Sequence, residues 1–392
     1  MNMRDYILKE NQKIRELSLW RDPQTFSSSR ANALVHNGRT MINFSTNDYL
    51  GYATHPLVIQ SGIQALAAHG AGGKSSRLIS GTLELHAELE QELARYKGTE
   101  SALLFPTGFM ANLGVIAGLL RKGDAVILDR LNHASLIDAA KLSGARLFVY
   151  EHASIPSLAR VLERTRGYGK RLVATDSLFS MDGDFAPLPE IVQLCKKHGV
   201  WLLVDDAHAT GLFGRSGSGL AEHFNLQGKI DIIMGTLSKA LGSQGGFVCG
   251  SLELIDYLKN RARAFIFTTA LCPANAAAAL TALRLAQKEP EKRGRLLDAA
   301  RRLSQKINEI FPSPLAKSVS QILPLWCGTA ERALVWSRQL AEQGLFVPAI
   351  RPPTVPKNSC RLRLSLSYDH SDADWETLAR AFSEMAADRG LE

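Results

Sequence analysis

Lys239 lies in the run Gly235-Thr236-Leu237-Ser238-Lys239-Ala240-Leu241-Gly242-Ser243-Gln244-Gly245-Gly246, directly after an apolar segment, 230–234, that reads as a buried strand. A lysine snorkelling out of a glycine-rich surface loop would account for it. Its neighbours argue for more. Thr236 and Ser238 carry hydroxyls able to bond a phosphate, and the glycines let backbone approach a bulky ligand closely. A lysine held in a partly desolvated pocket loses part of its preference for the charged form, which makes its amine available for a Schiff base.

Other reactive residue types follow other strand-like runs. The run 201–204 ends in Asp205-Asp206-Ala207-His208. A solvated acidic turn is the plain reading. An aspartate at a buried strand end, with a histidine three residues on, also suits a cationic ring nitrogen, because the carboxylate keeps that nitrogen protonated and the ring an electron sink. After 102–105 comes Thr107-Gly108-Phe109, where Gly108 opens either an ordinary helix or one whose free amides point at an anion. After 125–128 comes Asn132-His133, a histidine that could stack flat on a cofactor ring or be structural. The turn-rich segment 176–184 offers Ser180, whose hydroxyl can bond a phenolic oxygen. The glycine-rich stretch 69–82, which includes Arg77, reads as a loop close to an active site. In Arg361-Leu362-Arg363-Leu364-Ser365 strict alternation puts the leucines on one face and both arginines on the other. The leucine face is expected to pack and the arginine face to look outward or into a cleft, where Arg363 could hold a carboxylate bidentately.

These residues need a scaffold that gathers strand ends. Short apolar runs at 102–105, 125–128, 146–150, 172–175, 201–204, 230–234 and 246–249 alternate with helical patterns. This predicts an α/β fold with a mostly parallel seven-stranded sheet covered by helices, whose ligands collect outside the carboxyl ends of the strands. A helix over 84–97 is expected to stop at Gly98. The expected organisation is an N-terminal arm (1–45), a large domain bearing the candidate site (46–288) and a smaller α+β C-terminal domain (289–392). With 45% hydrophobic residues the chain can bury a sizeable core. Five cysteines without CxxC spacing suggest neither a disulfide framework nor a zinc site, and read as reduced core residues. Charges where a signal peptide would be apolar, and no run long enough to span a bilayer, predict a cytoplasmic protein with no membrane partner. The net charge of +8 fits ordinary solubility or an acidic partner, and no aromatic-interleaved basic stripe points to nucleic acid.

The run 236–246 resembles the pyridoxal-phosphate attachment site of class II aminotransferase-like enzymes. Together with Asn47-Asp48-Tyr49-Leu50-Gly51, Thr107-Gly108-Phe109, Asn132-His133, Phe179-Ser180-Met181-Asp182-Gly183-Asp184 and Asp205-Asp206-Ala207-His208, it looks like the α-oxoamine synthase family over nearly the whole chain. The resemblance implies a homodimer of aspartate-aminotransferase fold that condenses an amino acid with an acyl thioester and loses carbon dioxide. It also implies roles: Lys239 for covalent attachment of pyridoxal 5'-phosphate, Asp205 for the ring nitrogen, His208 and Ser180 for the ring hydroxyl, and His133 for stacking. Gly108, Phe109 and Thr236 would surround the cofactor, Thr268 and Thr269 reach the phosphate of the partner subunit, and Arg363 hold the substrate carboxylate. The stretch Ile350-Arg351-Pro352-Pro353-Thr354-Val355-Pro356 resembles the members that join L-alanine to a pimeloyl thioester on acyl carrier protein or coenzyme A, a step of biotin biosynthesis. Thr354 then belongs to the substrate side, and Arg21 aligns with the arginine that meets the acyl chain's carboxylate. The alternatives are a relative using glycine with an acetyl or succinyl thioester, and a catalytically silent subunit or regulator of the same fold.

Overall fold

The computed structural model describes residues 2–311 and 318–387. They fall into two compact units: Leu50–Ser180 with Phe185–Gly294, and the described residues of 1–49, 181–184 and 295–392.

The larger unit is built on a seven-stranded sheet. Its order is Ser101–Phe105, Gly246–Gly250, Ile232–Thr236, Trp201–Asp205, Arg171–Asp176, Ala125–Asp129 and Arg146–Tyr150. Neighbours pair in parallel from Ile232–Thr236 to Arg146–Tyr150, and Gly246–Gly250 runs antiparallel to both strands beside it. Because the central strands are covered on both faces they are apolar at successive positions rather than alternately: Val126, Ile127, Leu172, Val173 and Leu203 are all fully buried.

Each of the seven expected strands is present, but the one before the lysine runs Ile232–Thr236 instead of 230–234. The Asp231 carboxylate accepts the Leu202 amide at 2.8 Å, so this end of the apolar run is a side-chain contact rather than ladder. At the other end Thr236 still pairs with Gly246. Thr236 is therefore a strand residue.

The helix Glu84–Lys97 closes at Gly98, which takes φ 68° as a left-handed C-cap requires. The helix Gly108–Leu119 is opened by Thr107, whose hydroxyl accepts the Met110 amide at 3.1 Å. The glycine-rich 69–82 stretch does not present a free arginine. Arg77 is buried in a bidentate pair with Glu90, both contacts at 3.0 Å.

In the second unit Cys360–Ser365 is the middle strand of three, between Ile322–Gly328 and Ala349–Ile350. Of the two expectations for the arginine face, outward or into a cleft, the outward one does not hold, because both arginine side chains are covered. Leu362 and Leu364 are fully buried, and so, nearly, are Arg361 and Arg363. The Arg361 guanidinium bonds Asp182 Oδ1 at 2.6 Å and the Met181 carbonyl at 2.9 Å, and lies 4.0 Å over the Trp326 ring. Four of the cysteines are buried, and burial pushes the Cys195 and Cys249 thiols up to about 12. Cys272 is only half-buried because it caps the start of the helix Pro273–Lys288. Among the described residues no helix is long and apolar enough to cross a membrane, and no group of three or more His, Cys, Asp or Glu could hold a metal ion.

The register pairs Gly235 with Phe247, and a Cβ added at Gly235 would intrude on that fully buried ring. Gly235→Ala is expected to destabilise the fold by about 1–3 kcal/mol through overpacking. Urea unfolding checks this, and an unchanged midpoint would contradict the packing described.

Candidate active site

In the larger unit a cavity of about 230 Å³ is lined by Thr107, Gly108 and Phe109, by His133 and Ser135, by Asp176, by Asp205, Ala207 and His208, and by Met234, Thr236, Ser238 and Lys239. All of these stand at or just beyond the carboxyl ends of strands, or at a helix start, which is where a parallel sheet leaves unpaired amides and room for a ligand. Seven residues expected from the sequence therefore meet in one place: Lys239, Asp205, His208, His133, Gly108, Phe109 and Thr236.

Asp205 is 4% exposed, so its carboxylate depends on protein donors in place of water. Oδ1 accepts the Ala207 amide at 3.0 Å and Oδ2 accepts Asn112 Nδ2 at 2.9 Å. The same Asn112 nitrogen donates to Ser135 Oγ at 2.8 Å, which in turn bonds His133 Nδ1 at 2.8 Å. His133 Nδ1 also accepts the Ser135 amide at 3.3 Å, and an acceptor Nδ1 leaves the ring proton on Nε2. Burial holds the His133 pKa below the ordinary value. The Asp205 charge opposes that lowering and the Lys239 cation adds to it.

The second carboxylate of the cavity, Asp176, was not assigned from the sequence. Strand register sets it opposite Asp205. Its Oδ2 accepts the His133 amide at 2.9 Å. Burial, and then the neighbouring Asp205 charge, push its pKa well above the usual carboxylate range. Two further residues escaped the sequence reading, Asn112 and Ser135. Asn112 stands one helical turn after Gly108, so its spacing puts it on the same helix face, and that was the available signal.

The remaining expected residues are not among those that line this cavity. Ser180 is half-buried and is not on the cavity wall, nor are the half-buried Thr268 and the exposed Thr269. Thr269 instead bridges Ser76. None of residues 69–82 lines this cavity. Arg21, Thr354 and Arg363 belong to the other compact unit. There Arg363 bonds the Tyr49 hydroxyl, Thr354 is exposed, and Arg21 Nη2 donates to the carbonyls of Arg351 (3.2 Å) and Pro352 (2.7 Å).

The donor set fits pyridoxal phosphate. The helix Gly108–Leu119 turns its first amides towards the cavity, beside the exposed Ser238. Thr236 Oγ1 donates to the Gly245 carbonyl at 2.8 Å and bonds Ser238 Oγ at 2.7 Å, which fixes that corner. A Cβ at Gly246 would come within 2.6 Å of Gly108 Cα, so the close approach of strand and helix start depends on glycine. A buried carboxylate, an imidazole face and an amine complete the set.

The two shifted groups work in opposite directions. Between the unfolded and folded pKa values of Asp176 the folded state keeps a proton that the unfolded chain has lost, so stability falls as pH rises through that window. For His133 the unfolded chain holds the extra proton, so stability falls as pH drops. Asp176→Asn should therefore gain stability over the parent, in cofactor-free protein, as pH is raised from about 4 to about 8. Urea titrations at both pH values test this, and a difference that does not change with pH would refute the burial account.

The aminotransferase class I and II family profile matches residues 39–382. The 8-amino-7-oxononanoate synthase of Geobacter sulfurreducens is 44% identical, over 98% of this chain and 99% of that protein. That of Lysinibacillus sphaericus is 40% identical, over 99% and 100%. Among solved structures, a serine palmitoyltransferase from S. paucimobilis with a bound PLP–myriocin aldimine superposes with a TM-score of 0.93 at 35% identity, over 99% of this chain and 98% of that one. The 8-amino-7-oxononanoate synthase from Francisella tularensis superposes with a TM-score of 0.78 at 27% identity, over 90% and 99%. This chain belongs to the aminotransferase class I and II family.

Proposed function

We propose that this chain is a pyridoxal-phosphate-dependent acyltransferase that joins L-alanine to a pimeloyl thioester, giving 8-amino-7-oxononanoate, carbon dioxide and the free thiol of the carrier, a step of biotin biosynthesis. The observation that carries the reading is the meeting of Lys239, Asp205, His133 and the Gly108 helix start in one cavity, in a chain 40–45% identical to proteins named for this activity. A silent subunit would have no need of the lysine.

The cofactor, when bound, supplies an electron sink for a carbanion beside the amino nitrogen. The chain's own groups do the rest. Lys239 holds the cofactor through Nζ and, once the amino acid has replaced it there, takes the α-proton at that nitrogen. Asp205, buried and with one donor on each oxygen, keeps acceptor capacity for the ring nitrogen and would favour a proton there. His133, held neutral by its surroundings, offers a flat ring face without adding positive charge. His208 and Ser180 serve the ring hydroxyl, and Gly108, Phe109 and Thr236 the phosphate, with Thr268 and Thr269 of the partner subunit. Arg363 takes the alanine carboxylate and Thr354 belongs to the substrate side.

An acyl chain that ends in a carboxylate suits the second compact unit. Arg351 Nη2 donates to the Trp20 carbonyl at 3.3 Å while Arg21 reaches back to the 351–352 backbone, so two guanidinium groups are held side by side. Arg351 Nε has no hydrogen-bond partner among the described residues. The carrier is acyl carrier protein or coenzyme A. A cytoplasmic homodimer is part of the reading. In the larger unit Ile59, Ile63 and Leu66 expose one face of the helix Pro56–His69, and Leu78, Ile79 and Phe267 are exposed as well, apolar side chains of the kind a partner subunit would cover.

Purified protein given pimeloyl thioester with L-alanine is expected to yield the mass of 8-amino-7-oxononanoate, and glycine is not expected to replace alanine. Turnover only with glycine and a short acyl thioester, or only with L-serine and a long one, would move the chain to a sister reaction. Lys239→Ala should lose visible absorbance and turnover together, and retained turnover would remove the lysine from the mechanism. Sedimentation should give twice the 42.8 kDa chain mass.

A further inference from the structure

The cavity wall is backed by a buried ion pair that none of the roles above uses. Lys97, the last residue of the helix Glu84–Lys97, has a side chain only 1% exposed, as does its partner Asp206. Lys97 Nζ donates to Asp206 Oδ2 at 2.7 Å, to Thr210 Oγ1 at 2.8 Å and to the Ser218 carbonyl at 2.5 Å, so all three ammonium protons are used. Asp206 is equally saturated. Its Oδ1 accepts Ser177 Oγ at 2.6 Å and the Leu220 amide at 3.3 Å. Its backbone carbonyl accepts the Ala209 and Thr210 amides, at 3.1 and 2.9 Å, and the Thr210 hydroxyl at 2.8 Å. Gly219, at φ 123°, presses so closely on the carboxylate that no Cβ would fit.

The connections run to the residues that line the cavity. Asp206 follows Asp205 and points away from the cavity that Asp205 lines, as alternation along a strand end demands. The turn folded on the Asp206 carbonyl carries Ala207 and His208, and Ser177 directly follows Asp176. The carboxylate thus ties the ends of two strands together, and Lys97 ties the carboxylate to a helix. Taking both charges out of water is costly, and a well-packed apolar pair would often hold the fold as well. Stability alone therefore gives a weak reason for the pair.

We infer that Lys97 is a positioning residue. Acting through Asp206, it holds Asp205, His208 and the Asp176 strand end in the arrangement that grips the cofactor. The inference rests on the pyridoxal-phosphate reading of the cavity. It acts on cofactor affinity before any substrate is present.

The test compares the parent with Lys97→Met and with the doubly neutral Lys97→Met/Asp206→Asn, which leaves no unmatched buried charge. Three quantities are read: thermal unfolding of the cofactor-free protein, the dissociation constant for pyridoxal phosphate, and the pH midpoint of the visible absorbance of the lysine-bound cofactor. Lys97→Met is expected to unfold at lower temperature and the paired variant to recover. Both should bind cofactor about tenfold or more weakly, the usual scale for losing a group that orients a binding residue, and both should shift the pH midpoint. A folded paired variant with parental affinity and parental midpoint would overturn the inference, leaving Lys97 a stability element. A parent that binds no cofactor would instead remove the reading on which it stands.

Discussion

The candidate site depends on a nearly buried carboxylate held by protein donors. Asp205 sits at the floor of the cavity, and a buried anion persists only when protein donors replace the lost hydration. Its donors come from two directions, a backbone amide two residues on and the side chain of Asn112, from a helix far away in sequence. Both must be held still. The helix is fixed by its Thr107 cap and by the glycine contact with Gly246, and the turn by Asp206 and Lys97.

Around that carboxylate the cavity shifts two groups, Asp176 upward and His133 downward from their ordinary values. Asp176 faces Asp205 across one strand pairing, yet the pair is not symmetric. Asp205 has the amide and asparagine donors, whereas for Asp176 deep burial and the neighbour's charge oppose ionisation and outweigh the His133 amide that favours it. His133 is kept neutral by burial and has its tautomer fixed through Ser135. Groups whose environments push their pKa values apart are the usual mark of a site that moves protons.

Backbone likeness and substrate choice part company here. The chain superposes better on a serine palmitoyltransferase (TM-score 0.93) than on an 8-amino-7-oxononanoate synthase (0.78), while its close sequence relatives carry the latter name. Both belong on one scaffold because the shared fold holds the cofactor pocket at the strand ends and the helix start. Substrate choice falls to a few side chains that a superposition hardly weighs.

The sequence by itself determined the seven strands, the helix opening at Gly108 and the stop at Gly98, and singled out Lys239, Asp205, His208 and His133 as candidates, because each is written in local periodicity or in a short run with its own chemistry. It did not reveal Asn112, Ser135 or Asp176 as members of the site, nor that Arg77 and Arg361 are locked in buried ion pairs. An alternating strand reads alike whether its faces are open or covered, so only tertiary packing, such as Asp182 and the Trp326 ring on Arg361, could close the arginine face. Lys97 is the sharpest case. As the last residue of an amphipathic helix it reads as a solvated lysine, and it becomes a buried cation only because the fold brings Asp206, more than a hundred residues away, to 2.7 Å. Such pairings are decided by tertiary structure, since no window of sequence contains both partners.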